Sequence, residues 1–155
     1  KHLKTFKGLE HRIELVGTFN GITFYNDSIS TIPEATVAAL KTVKRVDTLI
    51  IGGFDRGIDY QLLIDYLKEN PVRNIVFVGK VGERVLKIWQ EENLPLPENY
   101  IVENDYAQIV DFAFEKTKKG SSCLLSPAAA SYDQFKDFTV RGTTYKNLIK
   151  ERGNK

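Results

Sequence analysis

Four short apolar runs, Thr48–Ile51, Asn74–Val78, Tyr100–Val102 and Cys123–Leu125, recur along the chain, and a helix-period segment fills every interval between them. Unbroken apolar runs suit strands covered on both faces, since a strand with one wet face alternates instead. Strand, helix, strand in succession implies a parallel sheet with helices crossing over both sides. Ahead of these runs, Arg12–Phe19 and Ile22–Asn26 flank Asn20-Gly21, a dipeptide that favours the two left-handed residues of a tight hairpin. The expectation is a single α/β domain over residues 1–155: a doubly wound, mostly parallel, Rossmann-like sheet entered by a β-hairpin.

The helical segments carry their own signals. Ser30 or Thr31 is expected to cap a helix with Pro33 and Glu34 in its first turn and Ala35, Val37, Ala38 and Leu40 along it. Tyr60–Glu69 places Leu62, Leu63, Tyr66 and Leu67 on one face. Val81–Glu91 is the next helix. Tyr106–Lys118 is expected to end at Gly120, and helical segments are expected around Asp133–Phe138 and Thr143–Lys150.

At 155 residues and 42% hydrophobic, the chain can bury a core without disulfides or metal. A net charge of +2, dispersed along the chain, gives no basis for binding nucleic acid or an anionic membrane. Cys123 is the single cysteine, so no intrachain disulfide forms, which fits a reducing, cytoplasmic setting. No apolar run approaches the roughly 18–20 residues that span a bilayer, and the start, Lys-His-Leu-Lys, carries no apolar leader. The chain contains no methionine; the expectation is that it lies within a longer polypeptide.

In open α/β sheets, ligands gather beyond the carboxyl ends of the strands. That rule selects Asn26-Asp27-Ser28, Gly52 to Gly57, Gly79-Lys80-Val81-Gly82, and Ser126-Pro127 through Tyr132-Asp133. On local sequence each has two readings. Asp27 is either a ligand group or an Asx-turn cap, and Arg56 is either a ligand cation or a solvated charge. Gly79–Gly82 lacks the spacing of a phosphate loop and reads as a plain turn. No Ser–His–Asp order, Gly-x-Ser-x-Gly elbow, dinucleotide fingerprint or metal cluster is visible. Any part this chain takes in catalysis is therefore binding and positioning, with no catalytic nucleophile of its own.

At these same places the sequence resembles the third domain of the Mur ligases. Gly8-Leu9-Glu10-His11-Arg12-Ile13-Glu14 resembles the family's Gly-Leu-Pro-His-Arg-x-Glu, and Asn26-Asp27-Ser28-Ile29-Ser30-Thr31 its Asn-Asp-Ser-Lys-Ala-Thr. Gly52-Gly53-Phe54-Asp55-Arg56-Gly57 is similar to Gly-Gly-x-Asp-Lys/Arg-Gly. The stretch Leu125 through Phe135 is similar to Leu-Ser-Pro-Ala-x-Ala-Ser-x-Asp-Gln-Phe, with Phe138 and Arg141-Gly142 following in order. Ile29 stands where the family often has lysine, and Glu10 where it has proline. The Asp-Gln-Phe stretch is similar to the D-glutamate-adding branch, and the Asp-Asn-Pro-Arg motif of the diaminopimelate- or lysine-adding branch is absent.

The resemblance implies an ATP-driven amide synthesis that joins D-glutamate to UDP-N-acetylmuramoyl-L-alanine in peptidoglycan building. By residue, it implies nucleotide contacts for Arg12 and Asp27, and D-glutamate contacts for Thr31, Arg56, Ser131, Tyr132 and Phe138. The phosphate loop, the Mg2+ ligands and a carbamylated lysine belong to the family's central domain, and the UDP group to its first. The isolated domain is then expected to be inactive. Two other readings stand beside this one. One is another Mur-type ligase or a folylpolyglutamate synthase domain; the other is a flavodoxin-like module that binds and catalyses nothing.

Overall fold

The structure is a computed structural model that describes residues 9–155; His2 and Gly8, the first residue of the segment ending at Glu14, lie outside them. In chain order the elements are β1 (Glu14–Phe19), β2 (Ile22–Asn26), α1 (Pro33–Thr42), β3 (Val46–Gly52), α2 (Gln61–Glu69) and β4 (Asn74–Val78). They continue with α3 (Gly79–Glu91), β5 (Asn99–Val102), α4 (Tyr106–Lys116), β6 (Ser122–Leu125) and α5 (Phe138–Gly153). The six strands form one sheet in the order β1-β2-β6-β3-β4-β5. Only β1 runs antiparallel; every other pairing is parallel. The doubly wound sheet with its hairpin is therefore the observed fold.

Each central strand feeds two cores. Leu49, Ile51, Ile75, Phe77 and Leu124 pack with Val37 of α1, Leu63 and Ile64 of α2, and Val81 and Val85 of α3. Their alternate neighbours Ile50, Val76, Val78, Cys123 and Leu125 pack with Ile109 and Val110 of α4 and Tyr145 and Ile149 of α5. This two-sided burial is why the runs are unbroken. Each such side chain contributes about 1.5–3 kcal/mol over leaving it in water.

Several local expectations are corrected. Arg12 and Ile13 precede β1 because the backbone there is captured by side chains: the His11 N–H donates to Glu14 Oε1 at 3.0 Å and the Ile13 N–H to Asp27 Oδ1 at 3.0 Å. Helix α1 begins after Ile32 with no side-chain cap, since the Ser30 hydroxyl is spent on Asp27. The buried face of α2 is Leu63, Ile64 and Leu67, which continues the burial of Tyr60 at i, i+3, i+4 and i+7; Leu62 is exposed. Gly79–Gly82 is no turn but the first turn of α3, and a Cβ at Gly82 would stand 2.5 Å from the Phe77 backbone. Helix α4 stops at Thr117, whose hydroxyl pairs with Thr48 at 2.7 Å. Asp133, Gln134, Phe135, Lys136 and Asp137 form a run of turns and bends, and one long helix starts at Phe138 with Asp137 as its cap.

Candidate functional site

The segments that follow β2, β3, β4 and β6 all leave the sheet at the carboxyl ends of parallel strands, so they meet at one pole. Their junction is Asp27, almost fully buried. Its Oδ1 accepts the Ile13 N–H, and its Oδ2 accepts the hydroxyls of Ser30 and of Ser126, the latter at 2.7 Å. Asp27 thus joins the β1 approach, the β2 exit and the β6 exit, and it does not cap α1. Burial pushes its carboxyl above the ordinary value, although the hydrogen bonds and the nearby Arg12 charge pull the other way. Ile13, held by this carboxylate, has φ +44°, a conformation that strains a β-branched residue and is retained only where surroundings over-determine it. Arg12 is exposed beside it. Arg12, Asp27, Ser30 and Ile29 line a cleft of about 240 Å³ whose floor is Ala35, Ala38 and Ala39 of α1.

The turn after β3 is stitched to the loop after β6. Gly52 N–H donates to Pro127 O at 2.8 Å and Phe54 N–H to Ala130 O at 2.9 Å. Gly53 has φ +151°, and a Cβ there would stand 2.5 Å from Ala130 O, so only glycine lets the two loops close. Arg56 is exposed on this turn, and its Nη2 donates to the Thr31 carbonyl at 3.2 Å. The structure therefore brings the predicted pair Thr31 and Arg56 together. An arginine has five N–H donors, so most of this guanidinium remains open to a carboxylate.

Beyond β6, Ser131 is buried, and its carbonyl accepts the N–H groups of Gln134 and Phe135 at 3.1 and 2.8 Å. Tyr132 is 65% exposed and lies edge-on to Phe54, 6.1 Å between centroids. Phe138 opens α5; its carbonyl accepts the Ser28 hydroxyl at 2.7 Å, and its ring meets the His11 ring at 6.1 Å. Ser131 and Tyr132 thus lie on one wall, linked to the Arg56 turn through the Phe54–Ala130 bridge, while Phe138 lies against Ser28 and His11 on the other.

Arg141, whose role the sequence leaves open, is the tie between these walls. It is 1% exposed. Its Nε donates to Ser28 Oγ at 3.0 Å, its Nη2 to the carbonyls of Ser28 and Ala129 at 2.8 and 2.9 Å, and its Nη1 to Ala130 O at 3.1 Å. Burial disfavours its charge, and among the described residues no carboxylate forms a salt bridge with it. The buried cation is solvated by neutral dipoles. Two further features escape sequence reasoning. Asn26 Nδ2 pairs with His11 Nδ1 at 2.9 Å, which leaves His11 Nε2 buried with no hydrogen-bond partner among the described residues; the Asn26–Asp27 dipeptide was the available signal. Arg84 of α3 grips Asp55, and no motif contains it.

A larger cavity of about 340 Å³, around Trp89, Leu67 and Pro95, lies at the opposite pole, near the starts of β4 and β5. It is apolar, and none of the predicted site residues reaches it. Among the described residues, no helix is long and apolar enough to cross a membrane, and no three His, Cys, Asp or Glu side chains gather to hold a metal ion.

Comparison with known proteins bears on the family and the fold. A family model described as "Mur ligase, glutamate ligase domain" matches residues 11–129. The UDP-N-acetylmuramoylalanine–D-glutamate ligase of Caldanaerobacter subterraneus subsp. tengcongensis is 37% identical over 147 residues, 95% of this chain and 32% of that protein. That of Ruminiclostridium cellulolyticum is 38% identical over 149 residues, 94% and 32% respectively. The chain spans about a third of the length of the curated relatives it matches. Among solved structures, the MurF ligase of Thermotoga maritima in complex with ADP superposes with TM-score 0.62 at 15% identity, over 97% of this chain and 34% of that one. The E. coli FolC structure with DHPP and ADP gives 0.60 at 17% identity, over 93% and 32%. At such identities these two structures speak for the fold alone.

Proposed function

The chain belongs to the Mur ligase family, as its glutamate ligase domain, and from that premise we propose that it is the amino-acid-accepting, part nucleotide-binding domain of a cytoplasmic ATP-dependent ligase that adds D-glutamate to UDP-N-acetylmuramoyl-L-alanine. In this reading residues 1–155 form the third domain of a longer protein. The precursor carboxylate takes the γ-phosphoryl group of ATP, giving an acyl phosphate and ADP. The amine of D-glutamate attacks the acyl carbon through a tetrahedral intermediate, phosphate leaves, and the amide remains. This chain's share is to hold and aim the amine, which converts a collision into an oriented attack.

The observation that carries the reading is Arg56, an exposed guanidinium steered by one bond to the Thr31 carbonyl with its remaining donors open. Arginine grips a carboxylate with two parallel N–H bonds, where lysine offers a point charge. Tyr132 and Phe138 would bound the amino-acid side chain, and the Ser131 hydroxyl would donate to its second carboxylate. On the nucleotide side, the cleft by Arg12 and Asp27 has an apolar floor, a cation and a carboxylate. That donor set suits a base, phosphate oxygens and ribose hydroxyls. ATP is used as its magnesium complex in such chemistry; no metal ligand is assigned to this chain.

The test is phosphate release by the full-length protein with ATP, magnesium, UDP-N-acetylmuramoyl-L-alanine and a panel of amino acids that includes D- and L-glutamate. Release with D-glutamate alone, and a fall of about 10–100-fold in kcat/KM for that substrate in Arg56→Ala, is the expected result. Turnover with a different amino acid moves the specificity. No turnover with any of them ends the ligase reading.

A further inference from the structure

We propose that Arg84 of α3 is a positioning residue that acts through Asp55: by occupying the Asp55 carboxylate, it keeps the neighbouring Arg56 free for the carboxylate of the incoming amino acid. The proposal rests on the reading of Arg56 given above. Asp55 and Arg56 are adjacent on the turn after β3. A free aspartate next to Arg56 in the chain would be an anion able to compete with any ligand for its guanidinium.

The geometry removes that competition. Arg84 Nε donates to Asp55 Oδ2 and Nη2 to Oδ1, both at 2.8 Å, and the Gly57 N–H donates to Oδ1 at 2.8 Å. Both carboxylate oxygens are engaged, one of them twice. The Asp55 carboxyl is held below the ordinary aspartate value, chiefly by the hydrogen bonds from Arg84, so it stays an anion that needs its partner. Arg56, by contrast, makes its hydrogen bond to a neutral carbonyl of another segment.

Arg84 is itself fixed. Its Nη2 also donates to Ile58 O at 2.7 Å, and its guanidinium lies 5.0 Å from the centre of the Tyr60 ring, a stacking contact that only a planar cation makes well. Tyr60 is buried and donates its hydroxyl to Ala128 O at 2.6 Å, which anchors the stack to the loop that carries Ser131. The clamp cannot follow Asp55 if the turn moves; the turn must stay with the clamp.

The experiment measures D-glutamate and ATP kinetics of the full-length enzyme with Arg84→Gln, Asp55→Asn and both together. Arg84→Gln frees Asp55 to capture Arg56, so KM for D-glutamate should rise about tenfold with kcat within about twofold and KM for ATP unmoved. Asp55→Asn on the Arg84→Gln background removes the competing anion and should return KM to within about threefold of wild type. A plain structural ion pair would be rescued too, but in stability: its loss would lower the urea midpoint and move KM for ATP together with KM for D-glutamate. A double variant no better than Arg84→Gln, or an unchanged KM in Arg84→Gln, overturns the inference while wild-type turnover keeps the ligase reading. Absence of wild-type turnover with D-glutamate overturns both. If Arg84→Gln folds poorly, Arg84→Met, which removes the charge but keeps an unbranched apolar stem against Tyr60, serves in its place with the same rescue expected.

Discussion

The Asp47–Arg73 cluster at one pole of the sheet and the buried Asp27 and Arg141 at the other hold their charges in opposite ways. At the amino ends of the strands, Asp47 is paired with Arg73 at 2.9 and 3.0 Å, and also accepts from Asn74 and from the Lys118 N–H; Arg73 in turn reaches Glu98 and the Lys116 carbonyl. Asp47 and Arg73 each touch an opposite charge. At the carboxyl ends, Asp27 is held by two hydroxyls and one backbone N–H, and Arg141 by carbonyls and one hydroxyl. Paired ions satisfy each other and bind nothing else. Ions solvated by neutral dipoles keep their field, and that field is available to a charged ligand. The first arrangement is self-satisfied; the second leaves a field at the candidate site.

The largest expected effect tests whether the unpaired cation is also structural. Arg141→Met would leave the Ser28 and Ala129 carbonyls without a donor and should cost about 3–5 kcal/mol in urea denaturation of the 155-residue chain. A cost near zero would mean the loops of the site pack without their tie. Arg73→Ala at the opposite pole should cost less, about 2 kcal/mol, because the pair is partly wet, and it should leave KM for D-glutamate unchanged. A changed KM would mean the poles are coupled.

The pH dependence should separate the poles by sign. Asp27 lies above the ordinary 3.8 in the folded chain, so its contribution is full below 3.8 and is lost as pH rises through the raised value. Asp47 lies below 3.8, burial being outweighed by the Arg73 and Lys118 hydrogen bonds. Its contribution is present above 3.8 and lost as pH falls through the lowered value. Measured from about pH 3 to 7, wild type should lose stability relative to Asp27→Asn as pH rises, and gain relative to Asp47→Asn. Parallel profiles would remove the distinction. The smallest effect is that of Arg56→Ala on stability, within about 0.5 kcal/mol, as for an exposed side chain with one hydrogen bond.

What sequence reasoning could reach follows the same division. The strands were legible because two-sided burial leaves no polar positions to break the runs from Leu49 to Ile51 or Ile75 to Val78. The pole of the candidate site was legible because loops after parallel strands share one end. The errors fall where a side chain takes over a backbone group: Asp27 claims the Ile13 N–H and shortens β1, and Ser30 gives its hydroxyl to Asp27 and leaves α1 uncapped. The face of α2 was misjudged because Leu62 and Ile64 are equally apolar, and only the depth of the Tyr60 position decides between them. Arg84 was invisible because its partner lies 29 residues away on another element, and the role of Arg141 stayed open because most of its partners are carbonyls, which no residue letter encodes.

Strand β6 sits between β2 and β3 although it follows both in the chain, and this has a consequence in time. The Asp27–Ser126 bond spans 99 residues; at about 5–20 residues per second, a ribosome needs roughly 5–20 s to deliver the second partner after the first. Throughout that interval the hairpin β1–β2 and the growing β3–β4–β5 sheet each present an open edge, and closing them requires a non-local step of the kind that makes folding slow. The aspartate at the centre of the site is thus among the last groups in the domain to find its surroundings, and the nascent chain is most exposed to wrong strand partners just before the site exists.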